Sequence, residues 1–202
     1  MPQLKLTSYI SQAAEWPKQG KHILAQYDDD TVIVYQAYNP RIGHFAAENK
    51  FLGGDFKLSR MSWIKTNFLW MMYRSGWGTK PDQEVTLAIW LNRAAFDEIV
   101  AAAVPSSFQQ DCYETYEEWQ QTLRSSNVRL QWDPDHHPYG NALERRAIQL
   151  GLSGEVLRRY SREWISDIQD ISAFIAEQRE FVQSRQLDRL IVPQEWIYPT
   201  GN

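Results

Sequence analysis

Thr31-Val32-Ile33-Val34-Tyr35-Gln36-Ala37-Tyr38 is a run of β-branched and aromatic residues broken by a single amide, and it follows the acidic turn Asp28-Asp29-Asp30. Such a run, with His22-Ile23-Leu24-Ala25-Gln26-Tyr27 on the other side of the turn, predicts a β-hairpin. Alternation along the second strand puts Tyr35 and Ala37 on one face and Gln36 and Tyr38 on the other. A Gln and a Tyr that leave a strand end together are able to orient a substrate carbonyl or a base edge. They are equally able to form the wet face of an ordinary sheet.

Moving outward, Asn39-Pro40 suits a helix N-cap followed by the first helical position, and Gly53-Gly54 closes that unit. Glu84 to Asn92 is apolar on both faces and reads as a buried strand. A helix is expected over 94–103, a surface helix carrying Tyr113, Tyr116 and Trp119 follows, and Val128 to Trp132 is a short strand. Leu143, Ala147 and Leu150 share helical spacing, as do Val156, Tyr160 and Trp164, and a third helix is expected over 171–185. Ile191 to Tyr198 contains a proline and suits an edge strand. The sum is an α+β fold, one largely antiparallel sheet with helices packed on it and a helical C-terminal third. Residues 1–20 read as a loosely attached lead-in, a docked arm being the alternative, and 21–202 as one globular domain.

Bulk properties bound the function. The chain has 202 residues, 43% of them hydrophobic and 23% charged, which is enough to bury a core. Its net charge of −4 argues against broad nonspecific binding to nucleic acid, while leaving room for a local basic site. No run approaches the length of a membrane span, and the first residues lack the order of a secretion signal, so the expected location is cytoplasmic. Cys112, the one cysteine, lies among acidic residues and makes a poor nucleophile.

The chemistry concentrates between Arg60 and Lys80, where tryptophans and cations alternate and no acidic residue occurs between Asp55 and Asp82. Thr66 or Asn67 caps a helix that Gly76 and Gly78 end. Helical spacing brings Trp70 and Arg74 together and sends Phe68, Met71 and Met72 to the core. Arg60, Lys65 and Arg74 are therefore expected to anchor an anion in a pocket walled by Trp63, Trp70 and Trp77, because guanidinium forks grip phosphate and aromatic faces hold planar rings. The alternative is that the cations pair with acids elsewhere and the aromatics fill the core. Glu84, at the mouth of the next strand, is the candidate general acid or base, with Gln36 and Tyr38 orienting substrate. The expected ligand is a small phosphate-bearing molecule, a nucleotide or an RNA end, and the expected activity a transferase directed at it; no cofactor is assigned. The other class of function is a noncatalytic protein-interaction module with exposed aromatics.

Further motifs narrow the field. Neither GxxxxGK[ST] nor GxGxxG is present. Asp133, Asp135, His136 and His137 raise the question of a metal, but adjacent residues rarely ligate one ion and no supporting spacing exists, so no metal ligands are assigned. At most one of Arg145 and Arg146 would join a pocket from a helix.

The segments Tyr35 to Tyr38, Arg60 to Lys65, Phe68 to Trp77, Gln83-Glu84, Gln131 to Pro134 and Arg146 to Leu152 together resemble a family of roughly 200-residue bacterial and fungal proteins known only as a domain of unknown function. The resemblance spans most of the chain beyond residue 20 and implies a shared architecture without an activity. A weaker likeness is to ADP-ribosyltransferase folds, which use NAD and in which a strand residue, a Ser/Thr strand and a late Glu follow in the order Gln36, Ser75, Glu84. The basic or His residue of the first motif is missing here, and Ser75 has a helical setting.

Overall fold

The computed structural model describes residues 2–200. In chain order the elements are β1 (Leu6–Ser8), α1 (Tyr9–Glu15), β2 (Leu24–Ala25), β3 (Thr31–Tyr38), α2 (Pro40–Asn49), β4 (Ser62–Lys65), α3 (Phe68–Ser75), β5 (Val85–Asn92) and α4 (Arg93–Ala101). They continue with β6 (Val104–Pro105), α5 (Tyr116–Ser125), β7 (Val128–His136), β8 (Ala142–Leu152), α6 (Gly154–Arg159), a π-helical turn at Tyr160–Trp164, β9 (Ile165–Asp170), α7 (Ser172–Gln183), β10 (Ile191–Pro193) and β11 (Trp196–Ile197). The fold is α+β. Its main sheet has seven strands in the order β6-β7-β8-β4-β3-β5-β9, antiparallel except for the β6–β7 pair.

Both faces of this sheet are covered, and the strand sequences show why. Along β3, Val32 and Val34 join one core with Leu87, Ile89 and Leu91 of β5, on which α2, α4 and α6 pack. Ile33 and Tyr35 join the opposite core with Ala88 and Trp90, under α1, α3 and α7. A strand buried on both sides has no polar face to show, hence the continuous apolar run of β5.

The acidic turn forms as expected. The Asp28 carboxylate accepts from the backbone of Asp30 and Thr31, Tyr27 bridges Val32, and the Ile33 N–H donates to the Gln26 carbonyl. The hairpin is short, because β2 leaves it to pair with β11, and β3 finds its long partner in β5 instead. Asn39, Asn67 and Asn92 cap α2, α3 and α4 by accepting from the third residue onward.

Three expectations are corrected. Leu143, Ala147 and Leu150 lie on strand β8, not on a helix; β8 pairs with β7 along most of its length and with β4 over four residues. The C-terminal third is therefore helical only from Gly154 onward, through α6, the π-helical turn and α7. The short strand expected over Val128 to Trp132 is longer, since β7 runs through Pro134 to His136 with a register shift between those two residues. Residues 2–20 also dock rather than hang free: β1 pairs with β10, and Tyr9 and Trp16 are buried.

Helix α2 lies against β5 at a glycine. A Cβ on Gly43 would sit 2.4 Å from a Val85 methyl carbon, nearer than side chains pack. Gly43→Ala is expected to cost about 1–3 kcal/mol of stability through this overpacking, read as a lower urea midpoint at unchanged slope.

Candidate functional site

A gap in the sheet makes the site. Strands β3 and β5 pair over eight residues and β4 and β8 over four, whereas β3 and β4 share the single pair Tyr35↔Lys65. Past that pair the two backbones part. Gln36 spans the opening with its side chain: the amide nitrogen donates to Ser62 Oγ at 2.8 Å and to the Trp63 carbonyl at 3.1 Å, and the amide oxygen accepts from the Tyr160 hydroxyl at 2.8 Å. Tyr38 reaches Ser62 Oγ at 3.2 Å. The resulting cleft encloses about 940 Å³, at the upper end of the range for small-molecule sites.

Its wall is basic. Lys65 rises from β4, Arg74 from the last turn of α3, and Arg60 and Lys57 from the loop before β4. Among the described residues none of these four cations has a carboxylate within 4.0 Å. Of the two acids on the wall, Asp55 is held by Arg41 at 2.6 Å and Asp82 sits in the turn after α3. Arg74 donates to the side chain of Gln83, a neutral partner that leaves its charge uncompensated. Such a concentration of positive charge stands apart from the rest of a protein of net charge −4.

Lys65 is the deepest of the four, 6% exposed. Burial, reinforced by the neighbouring Arg74 guanidinium, lowers its ammonium to about 8, against the opposing pull of Asp133. The Asp133 oxygens are themselves occupied by the amides of Gln131 and Gln149 at 2.8 and 2.6 Å. The Lys65 nitrogen lies 5.6 Å from the centre of the Trp70 ring.

Gln36, Tyr38, Arg60, Trp63, Lys65 and Arg74 thus line one cleft, and three other expected residues do not. Trp70 is buried beneath Lys65 as part of the floor's support, its indole N–H unpartnered among the described residues. Trp77 belongs to the core, edge-on to Phe68, with its N–H donated to the Pro138 carbonyl at 3.2 Å. Glu84 is exposed and accepts from the Asp82 N–H at 3.0 Å, closing its own turn, so its carboxylate is not offered to the cleft. Gln36 is a strut with every polar atom engaged, so its amide is not free to orient a substrate, and burial pushes the Tyr38 phenol above its ordinary range, keeping it protonated beside Ser62. Ser75 is helical and buried, its hydroxyl donated to the Met71 carbonyl, so it does not meet Gln36 and Glu84 as an NAD site of the ADP-ribosyltransferase kind requires.

Sequence reasoning missed Lys57, Asn39 and Gln83. Lys57 lies three residues before Arg60 in the same acid-free stretch, which was the available signal. The loop considered for a metal is committed elsewhere: Asp135 pairs with Arg145 at 2.5 Å, and the His136 ring stacks on Tyr73 at 3.4 Å.

Residues 22–198 match the model of a family described as a domain of unknown function, DUF4291. The chain belongs to this family. The match covers every residue of the cleft, so the split sheet lies wholly within the DUF4291 region. No curated protein matches the chain. Among the described residues no helix is long and apolar enough to cross a membrane.

A lysine whose pKa is depressed on folding destabilises the fold while it is charged. Folded Lys65 titrates near 8 and an unfolded lysine near 10.5, so wild-type stability is expected to rise between those pH values, where the unfolded chain binds the extra proton. Lys65→Met should therefore be more stable than wild type by up to about 3 kcal/mol at pH 7, at 1.36 kcal/mol per pKa unit, with the gap narrowing above pH 8. Urea unfolding of both proteins across that range measures it.

Proposed function

We propose that the cleft between β3 and β4 binds a phosphate-bearing, base-containing ligand, a nucleotide or the end of an RNA. The observation that carries this reading is the convergence of Arg60, Lys65, Arg74 and Lys57 on one concave surface without carboxylate partners among the described residues. Cations left unpaired at the protein surface repel one another, and an anion relieves that repulsion. The two guanidinium groups suit phosphate oxygens, since each offers paired donors in one plane.

Trp63 supplies the planar contact. It is half-buried on the cleft wall, and its indole packs over Gly151 on the adjacent strand β8, where a Cβ would lie 3.0 Å from the ring. The absence of a side chain there lets the ring approach β8 closely, and its partial exposure on the cleft wall suits a stacked base. A concave, cationic site of this volume fits a small ligand better than it fits the flat apolar contact of a protein-interaction module. Binding is the extent of the reading, because Glu84, the acid or base a transferase would have used, is turned away.

Mononucleotides or short 5′-phosphorylated oligoribonucleotides are expected to raise the melting temperature, by an amount that falls as salt is added. Arg74→Ala should weaken the affinity by roughly tenfold or more, the loss of a charge-assisted hydrogen bond worth about 1.5–3 kcal/mol, while circular dichroism stays unchanged. If neither nucleotides nor RNA ends shift the melting temperature of the wild type, the proposal fails.

A further inference from the structure

Every lysine of this chain except Lys65 is exposed, and several of the exposed ones are satisfied: Lys50 donates to the Ile168 carbonyl and pairs with Asp167, Lys80 donates to the carbonyls of Tyr73 and Arg74, and Lys18 to that of Ala13. The buried one is not. Lys65 Nζ has no carboxylate within 4.0 Å and no protein hydrogen-bond acceptor among the described residues, and although the side chain as a whole is buried the nitrogen itself reaches the cleft. This amine is fixed at its backbone by the Tyr35↔Lys65 pair, laid over the Trp70 ring, and opened to the cleft beside Arg74. Desolvation and an adjacent cation are the two means by which proteins keep an amine unprotonated for attack.

We propose that Lys65 is a nucleophile, adding to the carbonyl carbon of a phosphate-bearing aldehyde or ketone held in the cleft to form an imine. The inference rests on the reading of the cleft as a phosphate site and adds the reacting group. The nitrogen lone pair forms the C–N bond while the carbonyl π pair moves to oxygen. That oxygen takes the proton shed by the new ammonium, giving a carbinolamine. Loss of water then leaves the imine, which water later hydrolyses to return the free amine. Nothing is oxidised or reduced, and no separate base is consumed, because the proton travels from nitrogen to the former carbonyl oxygen. Attack on phosphorus would instead require a base to keep the amine's proton, and the acids on the wall are Asp55, which is tied to Arg41, and Asp82 in its turn.

Arg74 on α3 and Asp133 on β7 are the charged groups that bear on the state of the amine, and Arg60 and Lys57 on the loop before β4, Asp55 and Asp82 share the cleft wall. With the ammonium lowered to about 8, the neutral fraction of Lys65 at pH 7.4 exceeds that of an ordinary lysine by roughly a hundredfold or more. The test treats the intact protein with pyridoxal 5′-phosphate, reduces with borohydride and maps the modified lysines by mass spectrometry, with pyridoxal as the arm that lacks phosphate. Lys65 should be modified at least about tenfold faster than Lys18, Lys21 or Lys57, half-maximally near pH 8, and more slowly by pyridoxal. Equal modification by both aldehydes would leave the nucleophile standing and remove the phosphate requirement. An unmodified Lys65 overturns the inference, and if inorganic phosphate or AMP still raises the melting temperature in that case, the anion site stands without it.

Discussion

One amide side chain holds the two parts of the sheet together where their backbones separate. Gln36 takes the place of the missing β3–β4 ladder, bonding Ser62 and Trp63 across the gap and Tyr160 beneath it. Tyr160 opens the π-helical turn, whose widened coil delivers the hydroxyl to this point from the helical face of the sheet. A pair of strands that separates leaves peptide groups unpaired, and these must be satisfied or solvated. With a full ladder the cleft would be closed, and the Gln36 amide adds to the Tyr35↔Lys65 pair and the Tyr38–Ser62 hydrogen bond in linking the two halves.

The far wall depends on a second buried polar contact. Helix α3 carries Met71 and Arg74 to the cleft, and its N-terminus is met by the carboxylate of Glu195, which accepts from the Phe68 N–H at 2.6 Å and from Asn67 at 3.2 Å. Anion and helix dipole favour each other. Burial nevertheless pushes the Glu195 carboxyl well above its usual range, with the Asp135–Arg145 pair nearby. The same short segment takes a hydrogen bond from the Trp16 indole and gives one to Gln12, so the docked arm, the tail and α3 meet at one point.

Much of this architecture could be read from composition and spacing. β3, α2, α3 and β5 were legible because each combines a clear pattern with a capping or breaking residue near its end, as Asn67 and Gly76 do for α3. β8 was not. Leu143-Glu144-Arg145-Arg146-Ala147-Ile148-Gln149-Leu150 is built of good helix formers whose apolar members fall at helical spacing, and only its partners β4 and β7 make it a strand. For the cleft, charge was a partial guide: Arg60, Lys65 and Arg74 line it and Glu84 does not. Aromaticity misled, since Trp70 and Trp77 are large enough to be needed by the core and nothing in a single sequence separates that use from a pocket wall. The strut role of Gln36 depends on Tyr160, 124 residues away, which no local pattern reports.

The meeting of Glu195 with the first turn of α3 also bears on how the chain folds. β1 waits for β10, β2 for β11, and the N-terminus of α3 for a carboxylate that is synthesised well over a hundred residues later. Contacts so distant in sequence slow the search for the native state and leave early segments without their partners during translation. Arg60, Lys65 and Arg74 are thus made long before the segment around 191–198 that completes the N-terminus of α3, the helix that carries Arg74 to the cleft.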